Sequence, residues 1–321
     1  MITLVHVSDL HIGEKLRWLG SFGPRSATRH PNNLPSKRGH DERVARDLAN
    51  EWRSIVNAQP STTIVVTGDL TRSGKPLQFG IAHRYTHAYC FDAIASLLIG
   101  LGAGGTRALT IPGNHDFWGG LLLGPVVFRN VLEGHFWPPP WIHVLAEPTG
   151  KPLEVHLLAI DSCSGLRVLS PSQVRARGAI HQNQLAAADA LIDAENRKAE
   201  ARQRSVVRIV LVHHPPNTLT QASRQAFEAW LGTHRIHAIL TGHTHVPVCS
   251  WLPAATGCFE LRCGTTLQAG AYNMLPGPKP NHFYLHTLRW HSNQVHWQSI
   301  EYWHTGANWT TSFQPVWNCV L

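Results

Sequence analysis

No apolar run in this chain approaches the roughly 20 residues that a membrane-spanning helix needs, so a membrane partner is not expected. The first chemically distinctive block starts right after Ser8, too early for a cleavable secretory signal to precede it, and the chain is expected to be cytoplasmic. There is no CxxC pair among the six cysteines, Cys90, Cys163, Cys249, Cys258, Cys263 and Cys319. The Cys258–Cys263 spacing has no second pair to complete a zinc knuckle. Buried free thiols are therefore expected. A Cys249–Cys258 bridge across a hairpin would need an oxidising compartment. Acidic residues are scarce: 20 Asp and Glu face 28 Lys and Arg, for a formal net charge of +8. That imbalance favours anionic partners. The basic residues form two loose groups, Arg25 to Arg43 and Arg197 to Arg208, and the second reads as a solvated helix end. Nucleic acid is thus not the favoured partner. With no internal repeat, low-complexity tract or clear linker, residues 1–321 read as a single domain.

What is present begins as strand–helix alternation. Strands are expected at 1–7, 62–67, 107–111, 154–160, 206–212 and 236–240. Helices are expected at 42–56, where Asp41 can cap and Val44, Leu48, Trp52, Ile55 and Val56 share one face, and at 77–99, 181–202 and 226–231. Residues 12–40 are rich in Gly, Pro, Arg and Asn and read as an irregular insert. Residues 117–147 read as an irregular, aromatic and Pro-rich cap. From Val246 onward short β-type runs alternate with turns, as in a meander. This order fits a layered α/β domain with two packed sheets.

Five short blocks follow strand-like runs: Asp9-Leu10-His11, Gly68-Asp69, Gly113-Asn114-His115-Asp116, His213-His214 and Gly242-His243-Thr244-His245. The carboxyl ends of neighbouring strands are where α/β sheets gather side chains into one crevice. Asp9 and His11 are two apart and, in an extended segment, would project to the same side. Asp69 can bridge two ions, Asn114 offers a neutral oxygen, and His213, His243 and His245 offer imidazole nitrogens. Mixed nitrogen and oxygen ligation suits manganese, iron, zinc or cobalt better than magnesium or calcium. His213 is favoured over His214 because it comes first after the strand, and His214 reads equally as a ligand or as a residue lining the pocket behind the ligands. The remaining histidines read as structural: His6, His156 and His237 in strand-like runs, and His83 with His87 on a helix face lacking the Glu of an HExxH pattern. Trp137 and Trp141 could stack a nucleobase or form the core of a lid.

Taken together, the blocks resemble the DxH, GD, GNH(D/E), H and GHxH pattern of the calcineurin-like metallophosphoesterase superfamily. The resemblance implies a four-layer α/β/β/α sandwich of two mixed sheets flanked by helices, and two divalent metal ions. Asp9, His11 and His245 would hold the first ion, Asn114, His213 and His243 the second, with Asp69 bridging. His115 would contact the phosphate and protonate the leaving oxygen, and Asp116 would orient His115. The stretch from Gly68 to Phe79 is similar to the GDLTxxGxxxE(Y/F) segment of bacterial class III cyclic-nucleotide phosphodiesterases, with Gln78 in place of the usual Glu. A small phosphodiester, such as a 3′,5′-cyclic nucleotide, is then the expected substrate, attacked by a metal-bridging hydroxide. The opening block also resembles that of DNA exonucleases in the superfamily. Phosphomonoesters and phospholipid headgroups are further candidate substrates, and a non-catalytic scaffold is the remaining alternative.

Overall fold

The computed structural model describes residues 1–13, 40–87, 90–92, 97–102, 108–117, 137–147, 150, 152–163, 177–252, 257–267, 281–312 and 317–321. Most of the expected insert (14–39) and cap (118–136), and much of the first basic group, lie outside these residues.

One sheet runs β14-β13-β12-β1-β2-β5, with β15 also paired to β13. Its members are β1 (Ile2–Val7), β2 (Thr63–Thr67), β5 (Leu109–Ile111), β12 (His282–His291), β13 (Gln294–His304), β14 (Trp309–Thr311) and β15 (Trp317–Val320). The second sheet runs β10-β11-β9-β8-β7-β6. It is built from β6 (Trp141–Ala146), β7 (Leu153–Ile160), β8 (Ser205–Val212), β9 (Ala238–Thr241), β10 (Val248–Trp251) and β11 (Phe259–Arg262). Both sheets mix parallel and antiparallel pairs. The helices are α1 (Glu42–Ala58), α2 (Pro76–Thr86), α3 (Gln182–Ala201) and α4 (Gln221–Thr233).

Strand periodicity explains the layering, since successive side chains face opposite sides of a sheet. In β1, Ile2 and Leu4 point into the core between the sheets, and Val5 and Val7 into the core beneath α1 and α2. In β8, Val207, Ile209 and Leu211 share the inter-sheet core, while Val210 and Val212 meet Leu185 and Ile192 of α3 and Phe227 of α4. Three apolar layers therefore lie between four structural ones, the expected α/β/β/α sandwich. No helix among the described residues is long and apolar enough to cross a membrane.

Helix α1 starts where Asp41 accepts the amides of Arg43 and Val44, as expected. Helix α2 is much shorter than its apolar pattern predicts. The Thr86 hydroxyl bonds the carbonyls of Ala82 and His83, and His87 Nδ1 lies 2.7 Å from the His83 carbonyl. The Leu101 amide bonds the Tyr85 carbonyl at 2.7 Å, an acceptor that a further turn would need. The chain then forms a two-stranded hairpin of β3 (Cys90–Asp92) and β4 (Leu97–Ile99). The cap segment is likewise not wholly irregular: β6 pairs antiparallel with β7 along its full length. The C-terminal part is no simple meander. β10 and β11 extend the second sheet, whereas β12 crosses to pair with β1 in the first. Trp309–Thr311 and Trp317–Val320 pack on the domain as β14 and β15, both paired to β13. His6 and His156 are buried in β1 and β7, and His237 Nδ1 accepts the Arg208 amide just before β9. Cys249 and Cys258 carry thiols and no disulfide joins them.

Trp52 of α1 is 1% exposed and is among the largest side chains of the core beneath the helices. Trp52→Ala should lower the unfolding free energy by about 3–5 kcal/mol in urea denaturation. A loss below about 1 kcal/mol would contradict this placement.

Candidate metal centre

All five blocks meet at one end of the sandwich. β1, β2 and β5 of the first sheet and β8 and β9 of the second all deliver their carboxyl ends there. Backbone bonds hold the blocks together: the Asp9 amide to the Gly68 carbonyl (3.1 Å), His11 to Asp69 (2.9 Å) and Gly242 to His213 (3.1 Å). Asp9 and His11 are not in an extended segment as anticipated. They adopt φ of +53° and +46°, and Asp69 (+50°), His243 (+71°) and His245 (+58°) do the same. Left-handed conformations are costly for residues with a Cβ and tend to gather at functional sites. Here they turn alternate side chains inward.

Two imidazole groups face one carboxylate. Asp69 Oδ2 lies 3.8 Å from His11 Nε2, and Asp69 Oδ1 lies 3.4 Å from His213 Nε2. On the Oδ2 side, His245 Nε2 is 3.2 Å from both Asp9 Oδ1 and His11 Nε2. Ligand atoms of Asp9, His11, Asp69 and His245 all lie within 4.8 Å of one another. On the Oδ1 side, Asn114 Oδ1 lies 3.1 Å from His213 Nε2 and 3.0 Å from His243 Nδ1. Apart from the approach of His245 Nε2, no hydrogen-bond donor meets the buried Asp9 Oδ1, an expensive state for a carboxylate unless a cation meets it. The inward-facing carboxylates, imidazoles and amide oxygen therefore fit a pair of divalent ions of the manganese, iron, zinc or cobalt kind.

The backbone separates His213 from His214. The Thr67 carbonyl can only accept, so His213 Nδ1 donates to it at 2.7 Å and Nε2 is left facing Asp69 and Asn114. His214 Nδ1 instead bonds Ser162 Oγ at 2.8 Å, and its ring packs against His243. Burial opposes charge on both Asp69 and His213, but each favours the charged form of the other. Asp69 is held well below the usual carboxylate range by His213 and His115, and His213 is raised to about 9 by Asp69. Burial and neighbouring His115 push His11 down to about 3, leaving a neutral imidazole.

His115 Nδ1 donates to the Arg72 carbonyl at 2.8 Å, and its Nε2 lies 3.8 Å from Asp69 Oδ2. The expected role of Asp116 in orienting His115 is therefore corrected. Residues Asn114–Phe117 form a 3₁₀ turn, and Asp116 points back into the loop. Its carboxylate accepts the amides of Leu70, Thr71 and Gly113 and the Thr71 hydroxyl. Asp116 thus ties the Gly68-Asp69 turn to the Gly113-Asn114 turn. Burial and adjacent Asp69 push it up to about 7, against those donors. Gln78 keeps a glutamate-like contact, since its Oε1 accepts the Ser73 amide at 2.9 Å. Thr265, which sequence did not single out, donates its hydroxyl to the Asp9 carbonyl. Nothing in its residue type marks it. His83 and His87 stack at 4.1 Å on α2, but no group of ligating side chains forms there among the described residues.

Residues 2–247 match the profile of the calcineurin-like phosphoesterase family. The chain belongs to this family. GAP50, the anchor in the inner membrane complex of Plasmodium, superposes with a TM-score of 0.55 at 11% identity, covering 100% of this chain and 88% of GAP50. A dimetal phosphatase from Danio rerio superposes at 0.51 with 14% identity, covering 97% of this chain and 98% of that one. At such identities the likeness is one of fold. No curated protein matches the sequence. The calcineurin-like phosphoesterases are hydrolases that use divalent metals, and the residues converging on Asp69 are the candidate dimetal site of this member.

A Cβ on Gly113 would fall 2.2 Å from both Asp69 N and Asp69 Oδ1. Gly113→Ala should therefore weaken metal binding by about tenfold or more, the loss usual when groups behind metal ligands are disturbed. Calorimetric titration beside circular dichroism checks this; wild-type affinity in the variant would contradict the assigned packing.

Proposed function

We propose that this protein is a two-metal phosphodiesterase acting on small phosphodiesters, with 3′,5′-cyclic nucleotides the favoured class. The observation that carries the reading is the division of Asp69, one carboxylate oxygen to each imidazole group. On this reading Asp9, His11 and His245 hold one ion, Asn114, His213 and His243 the other, and Asp69 bridges them. When bound, such ions lower the pKa of a water and offset charge on the phosphoryl oxygens of an in-line displacement.

The chain's own groups would do the rest. The Thr67 carbonyl fixes the His213 tautomer, and the Asp116 carboxylate fixes the two turns that carry Asp69 and Asn114. His115 is held by the Arg72 carbonyl at Nδ1, which leaves Nε2 on the side of Asp69 to take up the proton released by the attacking water and pass it to the leaving oxygen. Diester preference is supported by the Gly68–Phe79 segment, where Gln78 keeps its contact with Ser73. The Danio rerio neighbour is a dimetal phosphatase, which supports the metal chemistry. The Plasmodium neighbour is described as an anchor. A scaffold has no need for the complete ligand set found here.

The test is hydrolysis of bis(p-nitrophenyl) phosphate against p-nitrophenyl phosphate by metal-stripped protein resupplied with Mn²⁺, Zn²⁺ or Fe²⁺. The diester should be preferred, and His115→Ala should lower turnover by about 10²–10⁴-fold while the metal remains bound. Preference for the monoester, or equal loss of metal and rate in His115→Ala, would overturn the respective assignment.

A further inference from the structure

The turn bearing His243 and His245 holds two left-handed residues within three positions, at φ of +71° and +58°. Such a turn relaxes unless its surroundings over-determine it. Three backbone contacts act on it: Gly242 to the His213 carbonyl, His243 to Asp9 Oδ2 at 3.0 Å, and Thr244 to the Gly242 carbonyl at 2.9 Å. A fourth tie comes from the outer face of β11. Glu260 and Arg262, two apart on that strand, form an ion pair with Nε 2.7 Å from Oε1. Glu260 Oε1 also accepts the Thr241 hydroxyl at 2.9 Å, and Arg262 Nη1 donates to Thr244 Oγ1 at 3.3 Å. Glu260 and Arg262 are 4% and 8% exposed. The pair thus grips the hydroxyls on either side of Gly242-His243, one before the turn and one inside it. Neither the Asp69 group nor the five sequence blocks include these residues.

We propose that Arg262 is a positioning residue for the metal centre, acting through the Thr244 hydroxyl to hold His243 and His245 in their left-handed geometry. The assignment rests on the two-metal reading, because each of these histidines belongs to a different half of the centre. A buried arginine could instead serve only to neutralise Glu260, and the two roles separate cleanly. Lysine supplies the charge to Glu260 but lacks the planar fork that reaches Glu260 and Thr244 together. Valine in place of Thr244 keeps the branched shape and removes the acceptor.

The experiment titrates metal-stripped wild type, Arg262→Lys, Thr244→Val and the double variant with Mn²⁺ by calorimetry, alongside thermal unfolding. Hydrogen exchange of the peptide spanning residues 241–247 is followed in the metal-free proteins. Each single variant should bind Mn²⁺ about tenfold more weakly, the loss of one hydrogen bond to a charged group. Exchange in the turn should be faster to a similar degree, and the double variant should be no worse than the weaker single one. Wild-type Mn²⁺ affinity and exchange in both single variants would overturn the proposal, as would additive losses. The readouts need no turnover. A protein whose Mn²⁺ affinity depends on this clamp yet hydrolyses no ester would remove the phosphodiesterase reading and leave the clamp standing.

Discussion

A carboxylate buried at the meeting point of two sheets is the constraint around which this protein is arranged. Asp69 is 1% exposed, and burial alone would drive it to the neutral acid. It stays ionised because His213 and His115 approach it from two sides, with one oxygen 3.4 Å from His213 and the other 3.8 Å from His115. In the metal-free protein Asp69 in turn favours a compensating proton on His213. A cation that replaces that proton would meet Asn114 and His243 on the same side, and a second would meet Asp9, His11 and His245 on the other. The four-layer sandwich brings the carboxyl ends of β1, β2, β5, β8 and β9 to this one edge.

Convergence has a conformational cost that is visible in the backbone. Five of the ligand candidates adopt left-handed φ values, each of order 1–2 kcal/mol for a residue with a side chain. What offsets it is a set of contacts that leave little slack. The Asp116 carboxylate binds three amides and one hydroxyl, the Thr67 carbonyl fixes His213, and Thr265 holds the Asp9 carbonyl. Gly113 lies so close to Asp69 that no side chain fits between them. Rigid support of this kind is what a dinuclear site needs, since small displacements of ligands cost affinity and rate.

Sequence reached furthest where chemistry is written in side-chain type. The blocks around Asp9, Asp69, Asn114, His213 and His243 each combine a ligating residue with a strand that ends beside it, so their convergence was legible. So was α1, because its cap and apolar face coincide. Backbone partners were not legible: the choice between His213 and His214 turns on the Thr67 carbonyl and Ser162, and the holder of His115 is the Arg72 carbonyl rather than its neighbour Asp116. Helix α2 was overdrawn because apolar spacing continues past Thr86, while the Tyr85 carbonyl that the next turn would use is taken by the distant Leu101 amide. β6 was hidden by the proline-rich stretch before it, although Trp141 and Leu145 face one core and Ile142 the other.

The central claim is a dinuclear centre bridged by Asp69, and electron paramagnetic resonance of Mn²⁺-loaded protein tests it most directly. Two ions per chain with the multiline spectrum of an exchange-coupled pair in wild type, reduced to an uncoupled signal in Asp69→Asn, is the predicted result. A single uncoupled ion in wild type, or coupling that survives Asp69→Asn, would contradict it.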